Sequence, residues 1–103
     1  NERLYRRLLE MFRTGQRDVV ERFRAAWAVG DDMSAMRCAH NLRTVAASLG
    51  MTVLADVGKR VELACRELAN DGNDAQVHAL LAELAAALRP VLTGLDALHG
   101  SRR

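Results

Sequence analysis

The sequence predicts an all-α protein, specifically an up-down four-helix bundle with an additional N-terminal helix. Half of the 103 residues are apolar, but only 4% are aromatic, and Pro90 is the single proline. Leu and Ala dominate the apolar set, and like Arg and Glu they lose little side-chain freedom in a helix. Apolar residues also recur at steps of three and four along most of the chain, as expected for one buried face of each helix.

The first two predicted helices cover residues 2–13 and 16–29, with Thr14 and Gly15 between them. The apolar face of the first consists of Leu4, Leu8 and Phe12, with Tyr5 and Leu9 beside them. The stripe of the second consists of Val19, Val20, Phe23, Ala26 and Trp27. Gly30 is expected to end the second helix, because glycine readily adopts the left-handed conformation that follows many helices.

The third predicted helix covers residues 33–49, and Asp31 or Asp32 is a suitable N-terminal cap. Its apolar stripe consists of Ala35, Ala39, Leu42, Ala46 and Leu49. Gly50 is well placed as the C-terminal stop.

The fourth helix is predicted over residues 53–69, capped by Thr52, and the fifth over residues 75–98. The core face of the fourth consists of Leu54, Val57, Val61, Ala64 and Leu68. The polar run 70–74 predicts a turn. The stripe of the fifth consists of Val77, Leu80, Leu81, Leu84, Leu88, Val91, Leu95 and Leu98. Pro90 should kink or split this helix near Leu88 and Arg89, and residues 99–103 should be frayed.

Short connections predict that consecutive helices are antiparallel neighbours. We therefore expect four longer helices to form the core and the first helix to pack on them as a lid. A chain of 103 residues fits one domain, residues 1–103. It begins with Asn1, so it could be a piece of a longer protein.

The charge and the apolar pattern argue against several classes of partner. The formal net charge is +2 and the basic residues are dispersed, so a nucleic-acid partner is not expected. No apolar stretch is expected to approach the roughly 20 residues of a membrane span, and the first residues of the sequence do not show a signal-peptide pattern. Cys38 and Cys65 are expected to be free thiols. We therefore expect a cytoplasmic location, with no direct membrane contact.

His40 differs from the other two histidines, His78 and His99, which are expected to be ordinary solvated side chains. Each helical residue turns by about 100°, so His40 lies about 160° from core-facing Leu42 and points outward. Arg43 and Thr44 follow one turn later, and Ala47 follows two turns later. A nucleophilic surface histidine needs solvent access, a cation for phosphoryl oxygens and small neighbours.

The fourth predicted helix carries a polar face that matches His40. Lys59, Glu62 and Arg66 lie beside its core stripe, and antiparallel packing would bring them alongside the third helix. A carboxylate there, expected outside the core, can accept a hydrogen bond from one ring nitrogen and leave the other free to attack. On these features alone, an exposed histidine on a solvated face remains an alternative.

The segment from Ala39 to Gly50, AHNLRTVAASLG, resembles the signature of histidine-containing phosphotransfer (HPt) domains. That signature is His-x-Leu-Lys-Gly followed by small residues that end at a glycine. The positions that match it are His40, Leu42, Ala46, Ala47 and Gly50. Glu62 falls where the family places a Gln or Glu that bonds the histidine, and Arg66 falls where some members have a basic residue. The segments LYRRLL and FRAA resemble the opening helices of HPt domains in bacterial hybrid sensor kinases.

Two positions depart from the signature. Arg43 stands where Lys is usual, which retains the charge but adds a planar, bulkier group. Thr44 stands where Gly is usual, and its branched side chain narrows the space for a partner.

The resemblance implies a phosphorelay intermediate. His40 would accept a phosphoryl group from an aspartyl phosphate on a receiver domain and pass it to another receiver. Glu62 would orient the imidazole and Arg43 would supply charge. The implied receiver-binding residues are Arg37, Thr44, Ala47, Lys59 and Arg66. Mg²⁺ would belong to the receiver, so no metal or cofactor is expected on this chain.

On the same resemblance, the isolated domain would be a monomeric carrier and not an enzyme by itself, although its parent chain could be a membrane-anchored histidine kinase. Three alternatives stay open: a degenerate HPt domain that docks receivers but transfers poorly, a helical oligomerisation or adaptor module, and a metal site of Cys38, His40 and Cys65. The last is disfavoured, because residues two apart point in different directions on a helix.

Overall fold

The computed structural model describes residues 2–68 and 74–101 and contains five helices and no strand in these ranges. The helices are α1 (Glu2–Gly15), α2 (Val19–Ala28), α3 (Asp32–Ser48), α4 (Thr52–Leu68) and α5 (Ala75–Ser101). The predicted all-α class is therefore confirmed. The predicted helical end at Ala69 and residues 70–73 of the predicted turn lie outside the described residues, as does the side chain of Leu68.

Two glycines end helices as the sequence predicts. Gly30 and Gly50 have φ values of 79° and 75°, in the left-handed region that glycine adopts without strain. The amide after each glycine bonds back to the last helical turn: Asp31 N to Ala26 O at 2.9 Å, and Met51 N to Ala46 O at 2.9 Å. These bonds satisfy carbonyl groups that would otherwise lack partners at the helix ends.

Of the two proposed caps for α3, the structure selects Asp31. Its carboxylate accepts hydrogen bonds from the backbone N–H of Ser34 at 3.2 Å and from the Ser34 hydroxyl at 2.7 Å. The predicted cap of α4 is wrong, because Thr52 is the first helical residue. Met51 takes the capping position, since its carbonyl already accepts the amide of Ala55 at 2.9 Å.

The expectation that the four core helices are all longer than the first is wrong. α2 has 10 residues and α1 has 14, so the shortest helix lies within the bundle. The chain turns over residues 16–18 before α2 begins, with Gln16 N bonded to Phe12 O at 2.9 Å and Val19 N to Gln16 O at 3.3 Å. Residues 16–18, which the sequence predicts to lie in the second helix, therefore form a turn.

The core is formed mainly by the predicted apolar stripes. All four predicted stripe residues within α3 are buried, as are Leu49 just after it and Leu54, Val57, Val61 and Ala64 of α4. In α1, only Phe12 is buried, whereas Leu4 and Tyr5 are 55% and 48% exposed. α1 therefore contributes mainly its C-terminal half, which is joined to α5 by the ion pair of Arg13 with Asp96 and by the contact of Glu10 with His99.

α5 is one continuous helix through Pro90, so the predicted split does not occur. Its helical structure reaches Ser101, and His99 Nδ1 lies 3.4 Å from Glu10 Oε2, so the expected fraying is wrong up to that residue. The stretch Ala75–Gly100 is also long and apolar enough to cross a membrane by length and composition, contrary to expectation. A core helix of a soluble protein meets the same criterion, and α5 buries Val77, Leu81, Leu84 and Leu88 in the bundle.

α3 and α4 form the most extensive helix pair. Arg43 lies opposite Gly58, and His40, one turn earlier on α3, contacts Glu62, one turn later on α4. The two helices are therefore antiparallel, as predicted, and this pairing places polar residues of α4 beside His40.

Candidate functional site

His40 lies near the middle of α3, and its side chain is 57% exposed. Its neighbours Ala39 and Leu42 are 1% and 0% exposed, because they belong to the apolar stripe on the other side of the helix. The outward direction predicted for His40 from helical periodicity is therefore what the structure shows.

Glu62 on α4 approaches the imidazole closely. His40 Nδ1 lies 2.9 Å from Oε2 of Glu62 and 3.5 Å from its Oε1. The Glu62 side chain is only 9% exposed, so the expectation that this carboxylate lies outside the core is wrong. It is buried because it lies beneath the imidazole, where α4 packs against α3, with fully buried Val61 as its neighbour in the chain.

Arg43 completes a group of three side chains. Its Nη2 lies 3.1 Å from His40 Nδ1 and 3.4 Å from Glu62 Oε1. Arginine has no acceptor and a carboxylate has no donor, so Nδ1 can either donate to Glu62 or accept from Arg43. We assign the Nδ1–H tautomer, because an unprotonated Nδ1 would point its lone pair at the carboxylate. Nε2 then keeps its lone pair, and no described residue bonds to it.

Arg43 is partly buried. Its side chain is 33% exposed, and its Nε is a buried donor without a hydrogen-bond partner among the described residues. Arg66, one turn beyond Glu62, brings its Nη2 to 4.0 Å from Glu62 Oε1 and is 64% exposed. Two guanidinium groups thus flank one buried carboxylate, which compensates the burial of its charge.

A groove of about 240 Å³ opens beside the imidazole. It is lined by Met33, Met36, Arg37, His40, Glu62 and Arg66. The structure therefore brings Arg37 and Arg66, two of the residues assigned to partner binding, together with His40. Sequence reasoning missed Met33 and Met36, although they precede His40 by seven and four residues and so share its face of α3.

The remaining partner-binding candidates occupy different positions. Thr44 is exposed, and its Oγ1 donates to the carbonyl oxygen of His40 at 2.9 Å, as expected. Ala47 is exposed one turn further along α3. Lys59 is exposed on α4, but no hydrogen bond or ion pair among the described residues joins it to His40 or Glu62.

The alternative metal site of Cys38, His40 and Cys65 is not assembled. Among the described residues, no group of three or more His, Cys, Asp or Glu side chains is placed to hold a metal ion. Both thiols are free, and Cys65 is fully buried. Burial raises the pKa of the Cys65 thiol to about 11, which disfavours the thiolate that metal binding needs.

Comparison with known proteins identifies the family. The Hpt domain model matches residues 7–90, a range that contains the His40–Glu62 pair and most of the bundle. No curated protein and no solved structure is significantly similar to the chain. Hpt domains are phosphocarriers rather than enzymes, are generally soluble cytoplasmic modules, and interact with receiver domains. The chain therefore belongs to the Hpt domain family, whose members perform phosphotransfer in two-component phosphorelays.

Proposed function

We propose that His40 is the phospho-acceptor of this chain and that it carries a phosphoryl group from one receiver domain to another. The observation that supports this proposal best is the 2.9 Å contact between Nδ1 and the buried carboxylate of Glu62. This contact holds one ring nitrogen as a donor and leaves Nε2, on an exposed side chain, as the nucleophile.

The transfer step follows from this tautomer. Nε2 attacks the phosphorus of an aspartyl phosphate, so a new N–P bond forms while the bond between phosphorus and the carboxyl oxygen breaks. The aspartate leaves as a carboxylate. The proton on Nδ1 stays in place and the ring becomes positively charged, which strengthens its bond to Glu62. Return of the group to a second receiver reverses these changes.

The cations around His40 have separate roles in this proposal. Arg43 lies within 3.1 Å of the imidazole and offers charge to phosphoryl oxygens. Arg37 and Arg66 line the groove, where Met33 and Met36 add an adaptable apolar surface for a receiver domain. Thr44 and Ala47 border His40 on the other side. Lys59 is exposed on α4 and would contact a bound receiver from there.

The negative charge of the phosphoryl group has to be compensated during transfer, and the receiver supplies part of the positive charge. We propose that Mg²⁺ is held by the acidic pocket of the receiver and that this chain needs no cofactor of its own. We also propose that the chain acts as a monomer in the cytoplasm, as part of a bacterial hybrid sensor kinase whose other domains supply the kinase activity.

Incubation with a phosphorylated receiver domain tests the proposed function. Wild type should gain a phosphate that is labile in acid and stable in base, and His40→Gln should gain none. A chain that binds the receiver but gains no phosphate is a docking module, consistent with obstruction by Thr44. A chain that neither binds nor gains phosphate is an adaptor of another kind. Either outcome contradicts the proposal.

A further inference from the structure

Gly58 lies in α4 at a close approach to α3. It is buried, and a Cβ atom built on it would lie 3.3 Å from Arg43 Cβ and 3.4 Å from both Cα and N of Arg43. These distances lie at or below the short end of ordinary van der Waals contact. The position of a Cβ atom is fixed by its backbone, so a Cβ at Gly58 requires α3 and α4 to move apart by a few tenths of an ångström. By contrast, Gly94 in α5 has nothing within 4 Å of its Cβ position.

A glycine inside a helix is unfavourable on its own, because it has more conformational freedom to lose than alanine. At Gly58 this disadvantage is offset by a close helix approach, and the approach lies one turn from the functional site. Gly58 is four residues before Glu62, and Arg43, which it faces, is three residues after His40. The spacing of the helices at Gly58 therefore sets how far Glu62 lies from the imidazole.

We propose that Gly58 is a positioning residue for phosphotransfer, because its missing side chain lets α3 and α4 approach closely enough for Glu62 to bond both His40 and Arg43. The inference rests on the proposed role of His40. Two contacts depend on the close approach of the helices at Gly58. One joins His40 Nδ1 to Glu62 Oε2 at 2.9 Å, and the other joins Arg43 Nη2 to Glu62 Oε1 at 3.4 Å. A separation larger by a few tenths of an ångström weakens both contacts, and the hydrogen bond from Nδ1 depends on distance more steeply than the ion pair.

The test compares Gly58→Ala with Gly94→Ala, a matched control that adds the same methyl to a helix where space is open. Transfer rates from a phosphorylated receiver and the ¹⁵N chemical shifts of the His40 ring are measured for both variants. Gly58→Ala should slow transfer roughly 3- to 10-fold, the effect of losing one net hydrogen bond, and should raise the population of the Nε2–H tautomer. Gly94→Ala should match wild type in both measurements, and thermal melts should show that both variants remain folded, since the helix propensity gained by alanine offsets part of the packing strain at Gly58.

A second comparison places Gly58→Ala in the Glu62→Ala background. The proposal predicts that Gly58→Ala then has no further effect on the transfer rate, because the contact it disturbs is already gone. Equal slowing in both backgrounds would show that the glycine acts elsewhere, and an unchanged rate and ring spectrum in the single variant would also overturn the inference. A wild type that gains no phosphate contradicts the proposed function together with this inference. A Gly58→Ala variant as active as a competent wild type contradicts only the role of Gly58.

Discussion

Oε2 of Glu62 lies 2.9 Å from Nδ1 of His40, although 22 residues separate the two in the chain. The exposed histidine therefore rests on a nearly buried carboxylate, and the packing of α3 on α4 is coupled to the chemistry at the surface. Substitutions at His40 are therefore expected to change phosphotransfer alone, whereas substitutions at Glu62 are expected to change both phosphotransfer and stability.

Leu42→Ala should lower the free energy of unfolding by roughly 2–5 kcal/mol, because this side chain is completely buried in the stripe of α3. His40→Gln should change it by less than about 1 kcal/mol, since the glutamine amide can still donate to Glu62. It should nevertheless abolish phosphorylation. Urea denaturation of both variants measures the difference. Similar losses would mean that the two faces of α3 are assigned wrongly.

Glu62→Ala should slow phosphotransfer and also destabilise the bundle by roughly 1–3 kcal/mol, because the imidazole and Arg43 lose a buried partner. Glu62→Gln should slow transfer with a smaller loss of stability, because the shape and one acceptor oxygen remain. Single-turnover transfer assays and thermal melts of the two variants test this. Wild-type transfer rates in both would remove Glu62 from the mechanism.

Thr44→Gly should lower the stability of α3 by roughly 0.5 kcal/mol, since glycine is the poorer helix former and the bond to the His40 carbonyl is lost. The same change should speed transfer from an unrelated receiver by removing a branched side chain one turn from His40. The natural receiver should tolerate Thr44, which then contributes to specificity. Thr44→Ala is the control, because it removes the branch without the helix penalty. Equal rates for all three proteins with both receivers would show that Thr44 is irrelevant to transfer.

Asp31 should make the stability of α3 depend on pH in the acid range. The hydroxyl of Ser34, its backbone N–H and the charge of Arg37 lower the pKa of Asp31 below its ordinary value. A carboxyl with a lowered folded-state pKa contributes stability above its unfolded pKa, and this contribution is lost as the pH falls through the folded value. Asp31→Asn keeps a capping oxygen at every pH.

Wild type should therefore lose stability relative to Asp31→Asn when the pH falls from 7 to about 3, below the ordinary pKa of an aspartate. Urea denaturation at both pH values measures the change. A difference between the two proteins that does not vary with pH would contradict the capping role of the charge.

The sequence by itself determined the local features of this protein. Steps of three and four residues place Ala39 and Leu42 in the core and turn His40 outward, because side-chain direction in a helix depends only on the helical period. Gly30 and Gly50 end their helices for an equally local reason, the ease with which glycine adopts a positive φ.

Only the tertiary structure determined the rotation and spacing of the packed helices. The burial of Glu62, the groove formed with Met33 and Met36, and the close approach of Gly58 to Arg43 depend on the rotation and spacing of α3 and α4. α5 likewise continues through Pro90, against the local preference of proline. These features arise from packing between segments far apart in the chain, and helical periodicity carries no information about the distance between two helices.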